Sequence, residues 1–229
     1  MTNYKNYRRD DIGRKLRLAR FYPLDIMVTG VTGAGKSSTM NCLFNKAVTA
    51  VGNGVEPETM RVDAYALNDV ARFWDTPGLG DSVQRDKEHS KRLVELLYKT
   101  YTLDNTCYGW IDMVLVILEG SSRDIGTTYN LLNNIIIPNF PKERILIAIN
   151  QCDMAMKGRH WDYERKCPDA VLTDFLDEKA LSIQRRVREA TGVNIIRPVW
   201  YSAEYDYHIE KLFDLIIDNM PVQRRSLML

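Results

Sequence analysis

The stretch Gly30-Val31-Thr32-Gly33-Ala34-Gly35-Lys36-Ser37 satisfies the spacing G-x-x-x-x-G-K-[ST]. That spacing implies the cradling of phosphates. Glycines let the backbone curl until successive N–H groups point inward at phosphate oxygens, and a helix starting near Lys36 adds the positive end of its dipole. Gly33, Ala34, Gly35, Lys36, Ser37 and Ser38 are therefore the candidate phosphate-binding residues. Lys36 is expected to reach the β- and γ-phosphates, with the Ser37 hydroxyl on Mg²⁺. The motif requires a strand before it and a helix after it. The apolar run Leu24-Asp25-Ile26-Met27-Val28 reads as the strand, and residues 39–46 have helical spacing. The ligand implied is a nucleoside triphosphate.

Which base it carries is read further along. Asn150-Gln151-Cys152-Asp153 ends the apolar run Ile145-Leu146-Ile147-Ala148-Ile149, which has the look of a buried parallel strand. An Asp at such a strand end can accept two hydrogen bonds, from the ring N–H and the exocyclic amine of guanine. Adenine offers no such donor pair, and sites built to hydrogen-bond a group reject analogues lacking it. Asn150, Gln151 and Asp153 are thus candidates for base recognition. Ser202-Ala203, after an expected strand at 196–201, supplies a backbone N–H for the guanine carbonyl. Asp75-Thr76-Pro77-Gly78 ends an expected strand at 70–74, where Asp75 can hold a Mg²⁺-bound water and the Gly78 N–H can approach the γ-phosphate.

The ordered set GVTGAGKS, DTPG, NQCD and SA resembles the guanine-nucleotide-binding core of the translation-factor-related GTPases. The likeness is nearer to the Era, septin and chloroplast-import-receptor branch, where GKSS-T-x-N and DTPGL recur. Residues 52–81, with SSRDIGTT and INQCDMA, look most like bacterial, often prophage-encoded, Era-like GTPases described as 50S-ribosome-binding. The resemblance spans roughly residues 22–220. It implies GTP and GDP as ligands with Mg²⁺, and hydrolysis of GTP to GDP and phosphate, with Lys36, Thr59 and Gly78 at the reacting phosphate. Three departures shape the expectation. Gln151 stands where the family usually has Lys, and its shorter stem packs less well along the base. Leu79 follows Gly78 where Ras-like enzymes place a water-orienting Gln, so hydrolysis without a partner should be slow. Gly33 occupies the position where potassium-activated relatives carry Asn, so potassium activation is not expected.

A chain of 229 residues fits one α/β domain with a sheet covered on both faces. Three segments are expected: a basic helical arm at 1–21, a GTP-binding domain at 22–220 and a tail at 221–229. A formal charge of +1 gives the molecule as a whole no attraction to polyanions. Cys42, Cys107, Cys152 and Cys167 form no CxxC pair, which suits reduced thiols in a cytoplasmic protein. The polar N-terminus has no signal-peptide character. The longest apolar run, 113–118, is too short to span a bilayer, so no integral membrane segment is expected.

Strands alternating with helices predict a P-loop NTPase (Ras-like GTPase) fold, a mostly parallel doubly wound sheet with one antiparallel strand. The antiparallel strand comes from the pair 61–67 and 70–74, joined by a tight turn at Asn68-Asp69. Helices are expected at 86–101, 125–136 (stopped by Pro138) and 204–220. Another follows the polar stretch 154–168, with Val171, Phe175, Leu176, Ile183 and Val187 on one apolar stripe and Gly192 at its end.

The loop at 47–60 is the expected first switch. It needs a Thr whose hydroxyl reaches Mg²⁺ and whose N–H meets the γ-phosphate. Thr59 is preferred because it precedes the hairpin, and Thr49 is the alternative. Residues 79–88 form the second switch. The arm, with Lys5, Arg8, Arg9, Arg14, Lys15, Arg17 and Arg20, suits either an RNA or acidic-lipid contact or a solvated helix docked through Ile12 and Leu16; the docked helix is favoured. His160, beside Trp161 in a surface loop, is given no catalytic role. The reading that results is a slow GTPase switch whose partner is GTP and, by resemblance, a ribosomal subunit or RNA. The alternatives are a septin- or import-receptor-like module that forms a homodimer across the nucleotide and, last, a P-loop kinase.

Overall fold

The most apolar runs of the chain become the centre of one sheet. The computed structural model describes residues 4–44, 63–80, 83–122 and 126–227. The sheet is built from β1 (Leu24–Gly30), β2 (Asp63–Ala66), β3 (Ala71–Asp75), β6 (Met113–Glu119), β7 (Ile145–Asn150) and β10 (Val199–Trp200), in the order β10-β7-β6-β1-β3-β2. All neighbours are parallel except β2, which runs antiparallel to β3 with Ala64 opposite Trp74. β1 and β7 are buried at every residue, as strands covered on both faces must be. The turn between β2 and β3 is fastened by Asn68, whose Oδ1 accepts from the N–H groups of Val70 (2.9 Å) and Ala71 (3.0 Å).

Helices cover both faces. On one lie α1 (Arg9–Ala19), α2 (Lys36–Phe44) and α7 (Ile209–Asp218), enclosing Leu16, Leu24, Ile26, Leu43, Phe73 and Phe213. On the other lie α3 (Val83–Leu97), α4 (Gly126–Leu131) and α6 (Ala170–Thr191), enclosing Met27, Leu93, Val114, Ile147, Leu176 and Ile183. α4 widens through a π-helical turn, Leu132–Ile136, into a last short turn α5 (Ile137–Asn139). α6 begins at Asp169, whose side chain accepts from the Leu172 N–H, and ends at Gly192 with φ 70°, as the sequence predicts. No described helix is long and apolar enough to cross a membrane.

Several boundaries differ from expectation. The helix predicted over 86–101 stops at Leu97, and a hairpin follows, β4 (Thr100–Leu103) and β5 (Thr106–Gly109), turning at Asp104 and Asn105 with φ 49° and 59°. The polar stretch after β7 hides a second small hairpin, β8 (Trp161–Asp162) with β9 (Cys167–Pro168). The last helix begins at Ile209 rather than 204, because residues 202–207 form a turn closed by reciprocal Ser202–Tyr207 backbone bonds of 3.0 Å. Pro138 does not stop its helix at 136; it sits in the final turn, after the π widening. Val171 and Phe175 leave the expected stripe and lie exposed (52% and 38%), since α6 buries Leu172, Leu176, Ala180, Ile183 and Val187 instead.

Both ends of the described chain are tied down. Ile12 and Leu16 are buried, and Arg8 bridges to Asp214 (2.7 Å) and Asp218 (2.8 Å) on α7. Residues 225–227 lie antiparallel along β5, with Gly109 N–H to Arg225 O at 2.8 Å and Leu227 N–H to Cys107 O at 3.0 Å.

Candidate nucleotide site

Five strands end at one edge of the sheet, and four of those ends carry a motif. β1 runs into the phosphate loop at Gly30, β3 ends at Asp75, β7 at Asn150 and β10 just before Ser202-Ala203, while β6 ends at Glu119 between them. Ligands of open parallel sheets bind at this edge.

α2 starts at Lys36, so residues 31–35 make the whole turn from strand to helix. Gly35 has φ 80°, and a Cβ there would overlap the Asn150 carboxamide nitrogen, so glycine alone fits. Lys36 is 8% exposed, and its Nζ donates to Gly30 O (3.2 Å) and Val31 O (3.0 Å), which holds the ammonium across the loop. Gly33, Ser37 and Ser38 are exposed at the mouth, and Ala34 is buried beneath them. Thr39 Oγ1 donates to Gly35 O at 2.8 Å and so accepts from the Tyr201 hydroxyl, also at 2.8 Å. Burial pushes the Tyr201 phenol up, which keeps it a donor.

Asn150 is the tie between three motifs. Its Nδ2 donates to Ala34 O (3.1 Å) and Gly35 O (3.2 Å), and its Oδ1 accepts from the Ala203 N–H (3.1 Å). One side chain thus fixes the distance from phosphate loop to base loop. The Ala203 N–H, expected to face the guanine carbonyl, is given to Asn150 here. Ser202 is fully buried and structural, closing its own turn. Gln151, with φ 58°, sends its Nε2 to Gly33 O at 3.0 Å, so its stem lies along the groove between the two loops.

Asp153 shows what the site awaits. It is 4% exposed, and its Oδ1 is buried without a hydrogen-bond partner among the described residues. A buried carboxylate oxygen left unpaired is costly, so this position is built for a donor that arrives with a ligand. Trp161 and Tyr163 of the β8–β9 hairpin pack against Tyr205, at 5.4 Å and 6.1 Å between ring centres. Burial first, then the Asp153 charge, pushes the Tyr205 hydroxyl up. Sequence reading missed this aromatic wall because its members come from two separate loops.

Asp75 and Gly78 lie at the phosphate end. Thr76 Oγ1 donates to Val28 O (2.8 Å), pinning the motif to β1. Gly78 packs so close that a Cβ would stand 2.7 Å from both Lys36 Nζ and Thr32 Oγ1. Leu79 is 5% exposed and belongs to the apolar cluster of Leu93 and Leu118, so its side chain points into the core. Among the described residues no three His, Cys, Asp or Glu side chains converge on a metal position. Mg²⁺ held through one hydroxyl, waters and phosphates needs no such cluster. Ser37 at the mouth and the Asp75 carboxylate at the β3 end fit that mode, and a cation there would neutralise charge on the β- and γ-oxygens. Thr59 and its alternative Thr49 lie outside the described residues.

His160 Nδ1 meets Asp169 Oδ2 at 2.7 Å, bracing the α6 cap. Burial pushes the Cys42 thiol up to about 12 and the Cys152 thiol up as well, leaving both as inert thiols.

With this geometry in view, comparison with known proteins is informative. The sequence profile of the family described as 50S ribosome-binding GTPase matches residues 25–151, which is more than half of the chain. The probable GTP-binding protein EngB of Thermotoga sp. (strain RQ2) is 26% identical over 145 residues, covering 62% of this chain and 70% of that protein. Among solved structures, Toc33 from Arabidopsis thaliana with Mg²⁺ and GMPPNP superposes with a TM-score of 0.63 at 16% identity, covering 100% of this chain and 99% of that one. Era in complex with MgGDPNP and a segment of 16S ribosomal RNA gives 0.57 at 15% identity, covering 88% and 58%. These structures share the fold, and the profile carries the assignment: the chain belongs to the 50S ribosome-binding GTPase family and is a GTP-binding switch protein that hydrolyses GTP.

Proposed function

We propose that this GTPase is a slow cytoplasmic switch whose GTP-bound form engages a ribosomal subunit. The observation that carries guanine selection is the buried Asp153 Oδ1, without a partner among the described residues. Slow turnover follows from Leu79, whose side chain is committed to the core and offers water nothing. A rate on the order of 10⁻⁴ to 10⁻³ per second, that of a GTPase without a supplied arginine, sets the scale. The ribosomal partner rests on the family description, and the docked arm, four of whose basic side chains are already engaged within the fold, is the less favoured contact. Its Arg8, Arg9, Arg14 and Lys15 are bound to Asp214, Asp69, Asp11 and the Ile217 carbonyl. Co-sedimentation with purified ribosomal subunits tests the partner. A GTP analogue should drive association and GDP should not. No association, together with a doubling of mass in the analogue alone, would replace this reading with a dimer formed across the nucleotide.

A further inference from the structure

The second switch is sewn to the molecule on two sides. On one, the Leu79 backbone pairs with the phosphate loop: Thr32 N–H donates to Leu79 O (2.7 Å) and Leu79 N–H to Gly30 O (3.4 Å), a parallel bridge between Val31 and Leu79. On the other stand two residues one helical turn apart in α3. His89 Nδ1 lies 2.8 Å from Gly78 O, and Asp86 Oδ1 accepts from the Gly80 N–H at 2.8 Å. A carbonyl can only accept, so Nδ1 carries the proton and the tautomer is fixed. His89 is 9% exposed, so this bond is shielded from competing water.

We infer that His89, assisted by Asp86, is a positioning residue for GTP hydrolysis: it sets the direction of the Gly78 N–H toward the γ-phosphate. This rests on the reading of Gly78 as the γ-phosphate donor. Glycine rotates about its two backbone bonds more freely than any other residue. Planarity of the Gly78–Leu79 peptide means that fixing its carbonyl fixes ψ at Gly78. The Gly80 bond to Asp86 and the buried Leu79 side chain fix the next residues. The N–H itself lies in the Pro77–Gly78 plane, which the Pro77 ring and the Thr76 Oγ1 bond to Val28 O restrain; with the carbonyl also held, Gly78 keeps little freedom and its N–H is aimed before substrate arrives. Donors aimed in advance favour the charge of the transferring phosphoryl group over the ground state. GDP, which lacks the γ-phosphate, does not sense the bond.

The test uses the full chain with His89→Ala, His89→Asn and His89→Gln. Asn can place an amide N–H near the position of Nδ1; Gln reaches past it. For His89→Ala, losing one shielded hydrogen bond should slow single-turnover GTP hydrolysis about tenfold. Fluorescent-GDP affinity should stay within about twofold, since the lost bond does not face the phosphates that GDP carries. Asn should recover most of the rate, and Gln little of it. Asp86→Ala, at a less buried position, should show the same split more weakly if His89→Ala proves unstable by circular dichroism. Hydrolysis and GDP affinity falling in step, an Asn variant no better than Ala, or unchanged hydrolysis in both Ala variants would each overturn the inference. Wild-type protein failing to bind GDP would instead remove the nucleotide reading beneath it.

Discussion

The two ends of the sheet bury charge in opposite ways. At the carboxyl ends of the strands, the Lys36 ammonium donates to the backbone carbonyls of Gly30 and Val31, and Asp153 keeps an oxygen that has no partner among the described residues. At the amino ends, Asp25 accepts two bonds from the Arg72 guanidinium (2.8 and 2.7 Å) and one from Trp74 Nε1 (2.7 Å). Nearby, Asp112 accepts from the Asp25 N–H at 2.9 Å, and Arg225 Nε donates to the Ile111 carbonyl at 3.0 Å. Both ends hold ionisable groups below a tenth of their exposure, so burial alone does not mark function. The accounting of partners does. At Asp25 both carboxylate oxygens are answered by the protein and the charge is structural; at Asp153 one buried oxygen has no partner among the described residues and is free to meet a donor on a ligand.

The largest expected effect tests that contrast at its two poles. Asp153→Asn exchanges an acceptor for a donor, so GDP affinity should fall by at least about 10³-fold, with xanthosine diphosphate gaining. Competition against fluorescent GDP measures it, and equal displacement by ATP in the wild type would sink guanine selection. Asp25→Ala should leave GDP affinity of the folded protein unchanged. It strands the Arg72 guanidinium and the Trp74 N–H, so stability should drop by about 3–5 kcal/mol in urea unfolding. If Asp25→Ala weakened GDP binding without unfolding the chain, the two ends would be coupled and the contrast would break.

The functional pole was the more legible in sequence, because phosphate and base chemistry demand particular residues at particular spacings. Gly35, Lys36, Asn150 and Asp153 announce themselves in short contiguous motifs. The β1, β6 and β7 runs were readable for a related reason: strands buried on both faces tolerate little but apolar residues. What stayed hidden was set by contacts distant in sequence. Asp25 lies inside an apolar strand, and only the fold brings Arg72 and Trp74 to it. His89 lies in a polar helix and gains meaning only when Gly78 is found against it. The start of β4 reads as part of the preceding helix because Leu93, Leu96, Leu97 and Thr100 keep helical spacing up to its first residue. Arg225 reads as a basic tail residue, yet it is 3% exposed, held by carbonyls of Leu97 and Ile111.

Leu79→Gln sharpens the comparison from the middle of the molecule. Sequence alone allows that restoring the amide quickens hydrolysis, provided that position 79 already lies near the γ-phosphate. The structure predicts otherwise, since the side chain at 79 enters the cluster with Leu93 and Leu118. A glutamine there buries an amide without a partner, at a cost of about 1–3 kcal/mol. Thermal unfolding should fall accordingly, with no rise in turnover. A rate increase at unchanged stability would mean that the segment turns over when GTP binds.

The smallest effect concerns the pH dependence of the structural pole. Burial pushes the Asp112 carboxyl up to about 7, with Asp25 raising it further and the Asp25 N–H, Arg144 and Arg225 pulling it back. A carboxyl raised on folding holds its proton more tightly in the native state than in the unfolded chain. Its contribution to stability is therefore fullest in acid, fades as pH rises from the ordinary carboxylate range, and is lost through about 7. Asp112→Asn keeps an acceptor for the Asp25 N–H and removes the titration. Urea midpoints taken between acid and mildly alkaline pH should decline more steeply in the wild type than in Asp112→Asn. The difference should be confined to the interval below about 7 and flat beyond it. Parallel curves would mean that Arg144 and Arg225 already hold Asp112 ionised in the native state. The amino-end network would then be a set of fully formed ion pairs, and the contrast with Asp153 would be stronger still.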